Sequence, residues 1–318
     1  MTGLEMRAAK PSDLTGILET MRLSLGETTL LRRTPDLWRW KHIENPFGES
    51  IVLVAVSSGG TIAGVRAFMR WDLEVGTDQS IRCLRPVDTA THPEFQRRGI
   101  FRTLTMSAME VARQEGVDLI FNTPNEKSAP GYLEMGWRRV SWIGVQIRPR
   151  LGRAFTPDPE SGPRIEHLLP EAEKPELIST PSKRSGGLMR TPQSPAYLQW
   201  RFVRHPYASY GWVPGQNDNG LVVRASSRNG RSELVVSDIL GPLDHLPFQE
   251  TARRSRARYM AGWFSPGSPK RAAARRGGLL PVPGVRTLQL VAVPLTDFPI
   301  DPFDLGSWNL STSDLELL

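Results

Sequence analysis

Apolar positions in the first half of the chain follow two different periods. Leu14, Ile17, Leu18, Met21 and Leu25 recur at the spacing of one helical face, with Ser12 placed to cap the helix and Gly26 to end it. A short strand over residues 6–9 precedes them. Residues 51–56 and 61–68 are apolar runs on either side of Gly59-Gly60, the signature of a hairpin. Further strands are expected over residues 81–91, 117–122 and 138–147. Helices are expected over 99–115, where Leu104, Ala108, Val111 and Ala112 share a face, and over 128–135. The succession of strand, helix, hairpin, strand, helix, strand, helix, strand predicts one α/β domain over residues 1–148.

Residues 149–163 are dense in Pro, Gly and charge without any period, which predicts a linker. Residues 164–318 then repeat landmarks of the first half. Trp40-Lys41 and Pro46 recur as Trp200-Arg201 and Pro206, and Arg33-Thr34-Pro35 recurs as Arg190-Thr191-Pro192. Farther on, Phe121, Pro124 and Gly136 recur as Trp263, Pro266 and Gly278 at a smaller offset. The order of these matches predicts a tandem duplication whose second copy has lost residues between the two sets of markers.

Composition narrows the classes. With 318 residues, 39% hydrophobic and 23% charged, the chain is expected to fold into about two domains. No apolar run approaches the length of a membrane helix and the first residues lack a signal core, so the expected location is cytoplasmic, without a membrane span. The single cysteine, Cys83, forbids an internal disulfide and cysteine-based metal clusters, and no metal is expected. The formal charge of +7 is moderate, and the bias toward arginine over lysine reads as codon usage. Residues 251–296 contain no acidic residue but nine basic ones, either an anion-attracting face or a solvated one.

Candidate chemistry concentrates between residues 91 and 137. The segment 91–101, T-H-P-E-F-Q-R-R-G-I-F, lies between an expected strand and an expected helix. A loop entering a helix N-terminus offers unpaired amides and the positive end of the helix dipole, which favours a pyrophosphate. Gly99 would let phosphates approach, and Arg97, Arg98 and Arg102 add charge. An ordinary basic helix N-terminus has the same residues. Asn125, Ser128, Tyr132 and Gly136-Trp137 follow the strand 117–122, so Tyr132 is placed on a short helix beside the sheet, as a general acid or as a packing residue.

These two segments resemble motifs of the GNAT superfamily of N-acetyltransferases. Gln96-Arg97-Arg98-Gly99-Ile100-Phe101 resembles the family's Q/R-x-x-G-x-G/A loop, with Phe101 standing where the family has Gly or Ala. Asn125-x-x-Ser128-x-x-x-Tyr132-x-x-x-Gly136-Trp137 resembles N-x-x-A-x-x-x-Y-x-x-x-G-F. The resemblance covers residues 4–148. It implies two tandem GNAT-like domains, each a mixed, mostly antiparallel sheet splayed at its centre and flanked by helices. It also implies acetyl-CoA or another acyl-CoA as co-substrate. Main-chain groups of Ala90 and Thr91 would pair with the pantetheine arm, residues 96–102 would hold the pyrophosphate, and Asn125 and Ser128 would line the arm. Tyr132 matches the residue that protonates the leaving thiolate. Asp88, His92 and Glu126 are candidates for the general base by position.

The second copy carries no such loop, and its counterpart of Tyr132 is Ala274, so residues 164–318 resemble a degenerate copy. Trp38, Trp40, Trp200, Tyr207, Tyr210 and Trp212 offer an aromatic wall for an acceptor or ordinary core. The expected activity is transfer of an acyl group from CoA to an amine of a small-molecule or cell-envelope acceptor. Two further readings are an aminoacyl-tRNA-dependent transferase, the one case that involves nucleic acid, and a non-catalytic acyl-CoA-binding or scaffold protein. Acceptor and oligomeric state are not written in these residues.

Overall fold

Residues 3–28, 32–76, 79–150, 164–175, 187–297 and 300–315 are described by the computed structural model. Its strands, in chain order, are β1 (Leu4–Ala8), β2 (Ile51–Ser57), β3 (Ile62–Arg70), β4 (Leu73–Val75), β5 (Gln79–Ile81), β6 (Cys83–Thr91), β7 (Leu119–Asn122), β8 (Arg138–Ile143), β9 (Gln146–Pro149), β10 (Tyr210–Pro214), β11 (Gly220–Arg228), β12 (Arg231–Leu240), β13 (Tyr259–Gly262), β14 (Leu280–Pro281) and β15 (Leu288–Pro294). The helices are α1 (Leu14–Leu25), α2 (Pro35–His42), α3 (Ile100–Gln114), α4 (Ala129–Glu134), α5 (Ile165–Leu168), α6 (Pro195–Leu198), α7 (Phe248–Arg254), α8 (Pro269–Arg276) and α9 (Thr312–Leu315).

The chain divides into two units, and neither is contiguous. The first comprises residues 1–73, 80–140 and 290–301; the second comprises 74–79, 141–289 and 302–318. The first unit is built on a seven-stranded sheet of order β1-β2-β3-β6-β7-β15-β8. Its central strands are apolar on both faces because helices cover both. Val54, Ile62, Val65 and Ala90 pack against Ile17, Leu18 and Met21 of α1, while Leu53, Ala55, Ala63 and Phe68 pack against Ile100, Leu104, Ala108 and Ala112 of α3. Residues of one strand alternate between the two clusters, which is the period-2 geometry of a strand.

The second unit has a six-stranded sheet of order β10-β11-β12-β13-β9-β14. The two sheets follow one plan. In each, three strands run antiparallel in sequence (β2-β3-β6 and β10-β11-β12), the third pairs parallel with the next (β6-β7 and β12-β13), and an antiparallel strand follows. Each also carries a bulge on the third strand. Val65 pairs with Ala90 and Ala67 with Val87, so Asp88 and Thr89 together face Arg66; Val222 pairs with Asp238 and Val223 with Val236, leaving Ser237 as the extra residue. The second copy is shorter in two places. Residues 229–230 form a tight turn where residues 71–82 make the β4-β5 excursion, and α7 has 7 residues where α3 has 15.

Several expectations need correction. The strand expected over 138–147 is two strands, β8 in the first sheet and β9 in the second, parted at Gly144, where a Cβ would lie 3.1 Å from the Val285 carbonyl oxygen. The contiguous division into 1–148 and 164–318 gives way to the interleaved one, because β9 hydrogen-bonds to β13 while β15 hydrogen-bonds to β7. Of the expected linker, residues 151–163 lie outside the described residues. Helix α2 escaped the sequence pattern, although Thr34 caps it through the Leu37 amide and Pro35 opens it. Its counterpart in the second unit opens with Ser194-Pro195, not with Thr191-Pro192: Ser194 caps α6, and Trp200 follows in a π-helical turn over Gln199–Val203.

Sharing of strands has a measurable consequence. Leu290, Val291 and Ala292 of β15 are fully buried, and burial of Leu290 and Val291 alone is worth about 3–6 kcal/mol, comparable to the whole stability of a marginal domain. A fragment of residues 1–148 is therefore expected to lack a cooperative thermal transition by circular dichroism. Appending residues 286–297 to it through a flexible linker should restore one; an isolated fragment that melts cooperatively at the full-length temperature contradicts this account.

Candidate functional site

The site grows from a defect in the first sheet. β6 and β7 are paired in parallel only at Cys83-Leu119 and Leu84-Ile120, after which β6 continues to Thr91 along β3 alone. From Arg85 onward, the β6 edge that faces β7 is released from strand pairing. Ala90 is buried and Thr91 half-buried at the end of this edge.

Past β6 the chain makes a 3-10 turn over Pro93–Phe95, capped by His92, whose Nδ1 accepts from the Glu94 amide at 3.3 Å. Gln96 is extended, Arg97 takes the left-handed conformation (φ 61°) and Gly99 does so again (φ 74°). A helix leaves its first amides without internal partners. No side chain caps α3 at Gly99, and a Cβ built there would meet nothing within 4 Å. Gln96, Arg97, Arg98, Gly99 and Arg102 are exposed, and the Arg98 guanidinium lies 5.0 Å from the Phe95 ring centroid. The result is an open, cationic helix N-terminus. Ile100, by contrast, points into the core and anchors the helix.

Beyond β7, Asn125 accepts from the Lys127 amide (3.1 Å), the Ser128 amide (2.9 Å) and the Ser128 hydroxyl (3.1 Å), a side-chain turn that launches α4. Tyr132 on α4 is 2% exposed and packs edge-on against Phe101 and Trp137. Its hydroxyl accepts from Arg66 Nη2 at 2.6 Å. Phe101 takes its place beside Gly131, where a Cβ would come within 2.8 Å of the ring. The large residue in the loop thus depends on the smallest one in α4.

The three candidate bases separate. Asp88 sits at the β6 bulge in the left-handed region (φ 45°) and is buried among Arg33 Nη1 (3.0 Å), Lys41 Nζ (2.9 Å) and His42 Nε2 (3.0 Å). Burial alone would raise its pKa, but Lys41, the His42 hydrogen bond and Arg33 outweigh it and hold the carboxyl far below the usual carboxylate range. Burial likewise lowers the His42 pKa despite the Asp88 hydrogen bond, so the ring is neutral, donating from Nε2 to Asp88 and accepting at Nδ1 from Ser50 Oγ at 2.9 Å. A carboxylate so engaged is a poor proton acceptor. His92 is occupied as a cap, whereas Glu126 is exposed in the turn after β7.

Sequence reading missed Arg33, Lys41, His42 and Arg66. Only Arg66 left a signal: a lone charge inside a strand whose other residues up to Met69 are uncharged and buried. Of the aromatic set, Trp38, Trp40, Trp200, Tyr210 and Trp212 are buried and Tyr207 half-buried. In the second unit α8 carries Ala272, Ala273 and Ala274 where α4 carries Tyr132.

Comparison with known proteins fits this geometry. Residues 5–140 match the model of the acetyltransferase (GNAT) domain. This stretch is similar to a GNAT domain. Solved structures share the fold over nearly the whole chain. A GCN5-related N-acetyltransferase from Anabaena variabilis is 11% identical with a TM-score of 0.59, covering 92% of this chain and 73% of that one. Eis1 from Mycobacterium abscessus is 14% identical with a TM-score of 0.55, covering 91% and 72%. A GCN5-related N-acetyltransferase from Kribbella flavida is 12% identical with a TM-score of 0.52, covering 91% and 70%. No curated protein matches the chain. The GNAT family uses acetyl-CoA or acyl-CoA as co-substrate. Among the described residues no helix is long and apolar enough to cross a membrane.

The Asp88 cluster carries a prediction. Asp88→Asn leaves Arg33 and Lys41 buried without a counter-charge, which is expected to cost about 3–5 kcal/mol in denaturant unfolding at pH 7. Because the folded pKa lies below the unfolded value near 3.9, the carboxylate's contribution is complete above about pH 4 and fades as the pH falls further. The deficit of the variant should therefore shrink in acid; a deficit independent of pH from 7 down to 2 would refute the charge argument.

Proposed function

We propose that the chain is a CoA-dependent N-acyltransferase that moves an acyl group from its thioester to the amine of a small-molecule or cell-envelope acceptor. One observation carries the reading: the uncapped N-terminus of α3, opened by Gly99, lies at the end of a strand that has parted from its neighbour. Amides of residues 97–102 and the side chains of Arg97, Arg98 and Arg102 would hold the pyrophosphate. The freed edge of β6 around Ala90 and Thr91 would pair with the amide-bearing arm, with Asn125 and Ser128 on its other side.

A thioester supplies an acyl carbon that an amine can attack directly. The β6 bulge leaves main-chain groups near Asp88 and Thr89 unpaired, and an N–H there would polarise the thioester carbonyl. The amine nitrogen forms a bond to the carbonyl carbon, the C–S bond breaks, and its electron pair departs on sulfur. Tyr132 would give its hydroxyl proton to that sulfur. The ammonium loses its proton to water. Asp88 keeps the bulge in place through its three partners rather than taking that proton.

Calorimetry with CoA tests the reading. Charge reversal in Arg98→Glu/Arg102→Glu is expected to weaken CoA binding at least about tenfold and to flatten its salt dependence. Tyr132→Phe is expected to leave CoA affinity within a factor of about two and to slow thiol release roughly 10²-fold with an acceptor amine present. Absence of CoA binding at millimolar concentration would end the proposal.

A further inference from the structure

Among the buried cations that the acyl-transfer chemistry above leaves unused is Arg66. Arg66 has no exposed surface, and its guanidinium reaches from β3 past β6 to α4. Nη1 donates to Thr89 Oγ1 and Nη2 to Tyr132 Oη. The rings of Phe68, Phe101 and Tyr132 surround it with centroids 5.0–5.1 Å from Cζ. Nε has no hydrogen-bond acceptor, and among the described residues no carboxylate pairs with this side chain. Arg33 and Lys41 in the same unit converge on Asp88, and Arg7 on Asp13. Arg66 has only neutral hydroxyls and ring faces.

A guanidinium buried without an anion costs several kcal/mol that such partners offset only in part. Its two hydroxyl partners mark its place. Thr89 belongs to the bulge assigned to the thioester carbonyl, and Tyr132 is the residue assigned to the sulfur. The cation bonds to both, at the place the acyl-transfer reading gives to the thioester. Its planar fork suits a carboxylate, and Nε is the donor still available.

We propose that the acyl group accepted here carries its own distal carboxylate, as in succinyl-CoA or malonyl-CoA, and that Arg66 binds that carboxylate. The inference rests on the acyl-CoA reading. Transfer proceeds as above: the C–N bond forms, the C–S bond breaks, and the distal carboxylate passes unchanged into the amide product.

The test compares succinyl-CoA with butyryl-CoA, which has the same chain length without the charge, by calorimetry on the full-length chain, with CoA as reference. Succinyl-CoA is expected to bind at least about tenfold more tightly than butyryl-CoA. Arg66→Met is expected to remove that preference while keeping CoA affinity, and replacing an unpaired buried charge by an apolar side chain should preserve the fold. Should this variant not fold, the comparison in the unsubstituted protein decides alone. CoA binding together with butyryl-CoA affinity equal to or above that of succinyl-CoA overturns the inference and leaves the acyl-CoA reading standing. Failure of every CoA species to bind overturns both.

Discussion

A strand that leaves its neighbour must find other partners for its backbone, and that requirement organises the first unit. β6 and β7 share two residue pairs and then separate, so amides and carbonyls along one edge of β6 are released in the middle of a sheet rather than at its rim. Buried main-chain groups are rarely left unmatched. On the proposed reading, the amide groups in the arm of CoA would supply partners for this edge. The open turn of α3 comes eight residues after the end of the same strand, beyond the 3-10 turn.

Two buried charge systems flank this opening and differ in kind. Asp88 is oversupplied: two permanent cations and a neutral imidazole hold one carboxylate, and the bulge with its left-handed residue is fixed as a result. Arg66 is undersupplied, with hydroxyls and aromatic faces in place of an anion. A saturated cluster builds structure, because every group in it has its energy minimum without help. An unsaturated one gains from a partner that the chain itself does not provide.

The second unit repeats the plan with different residues at the corresponding positions. Its strands repeat the order and directions of the first, including the bulge on the third strand. Yet α7 is half the length of α3 and opens after Pro247 rather than after a glycine, and α8 has alanines in place of the tyrosine. A buried network fills the comparable region: Lys270 Nζ donates to Asp238 at 2.6 Å, and Thr191 donates to Asp314 at 2.6 Å. Strand packing survives such changes because it depends on apolar alternation, whereas a phosphate loop depends on a few residues of exact type.

Local sequence determined the elements whose signals are local. The period of Ile17, Leu18 and Met21, the run over residues 51–56, the glycine before α3 and the spacing from Asn125 to Tyr132 each act over a short stretch of chain, and the family resemblance of the first half rests on the last two. What lay beyond local reach was decided by the folded chain. Pairing of β15 with β7, and of β9 with β13, joins residues more than a hundred positions apart, and nothing in either strand names its partner. The same is true of Asp88, read by position as a base and found enclosed by Arg33, Lys41 and His42. It is true of Arg66, whose isolation in an apolar strand was visible but whose environment was not. Charge acquires its meaning from what surrounds it, and those surroundings exist only after distant strands and helices have packed.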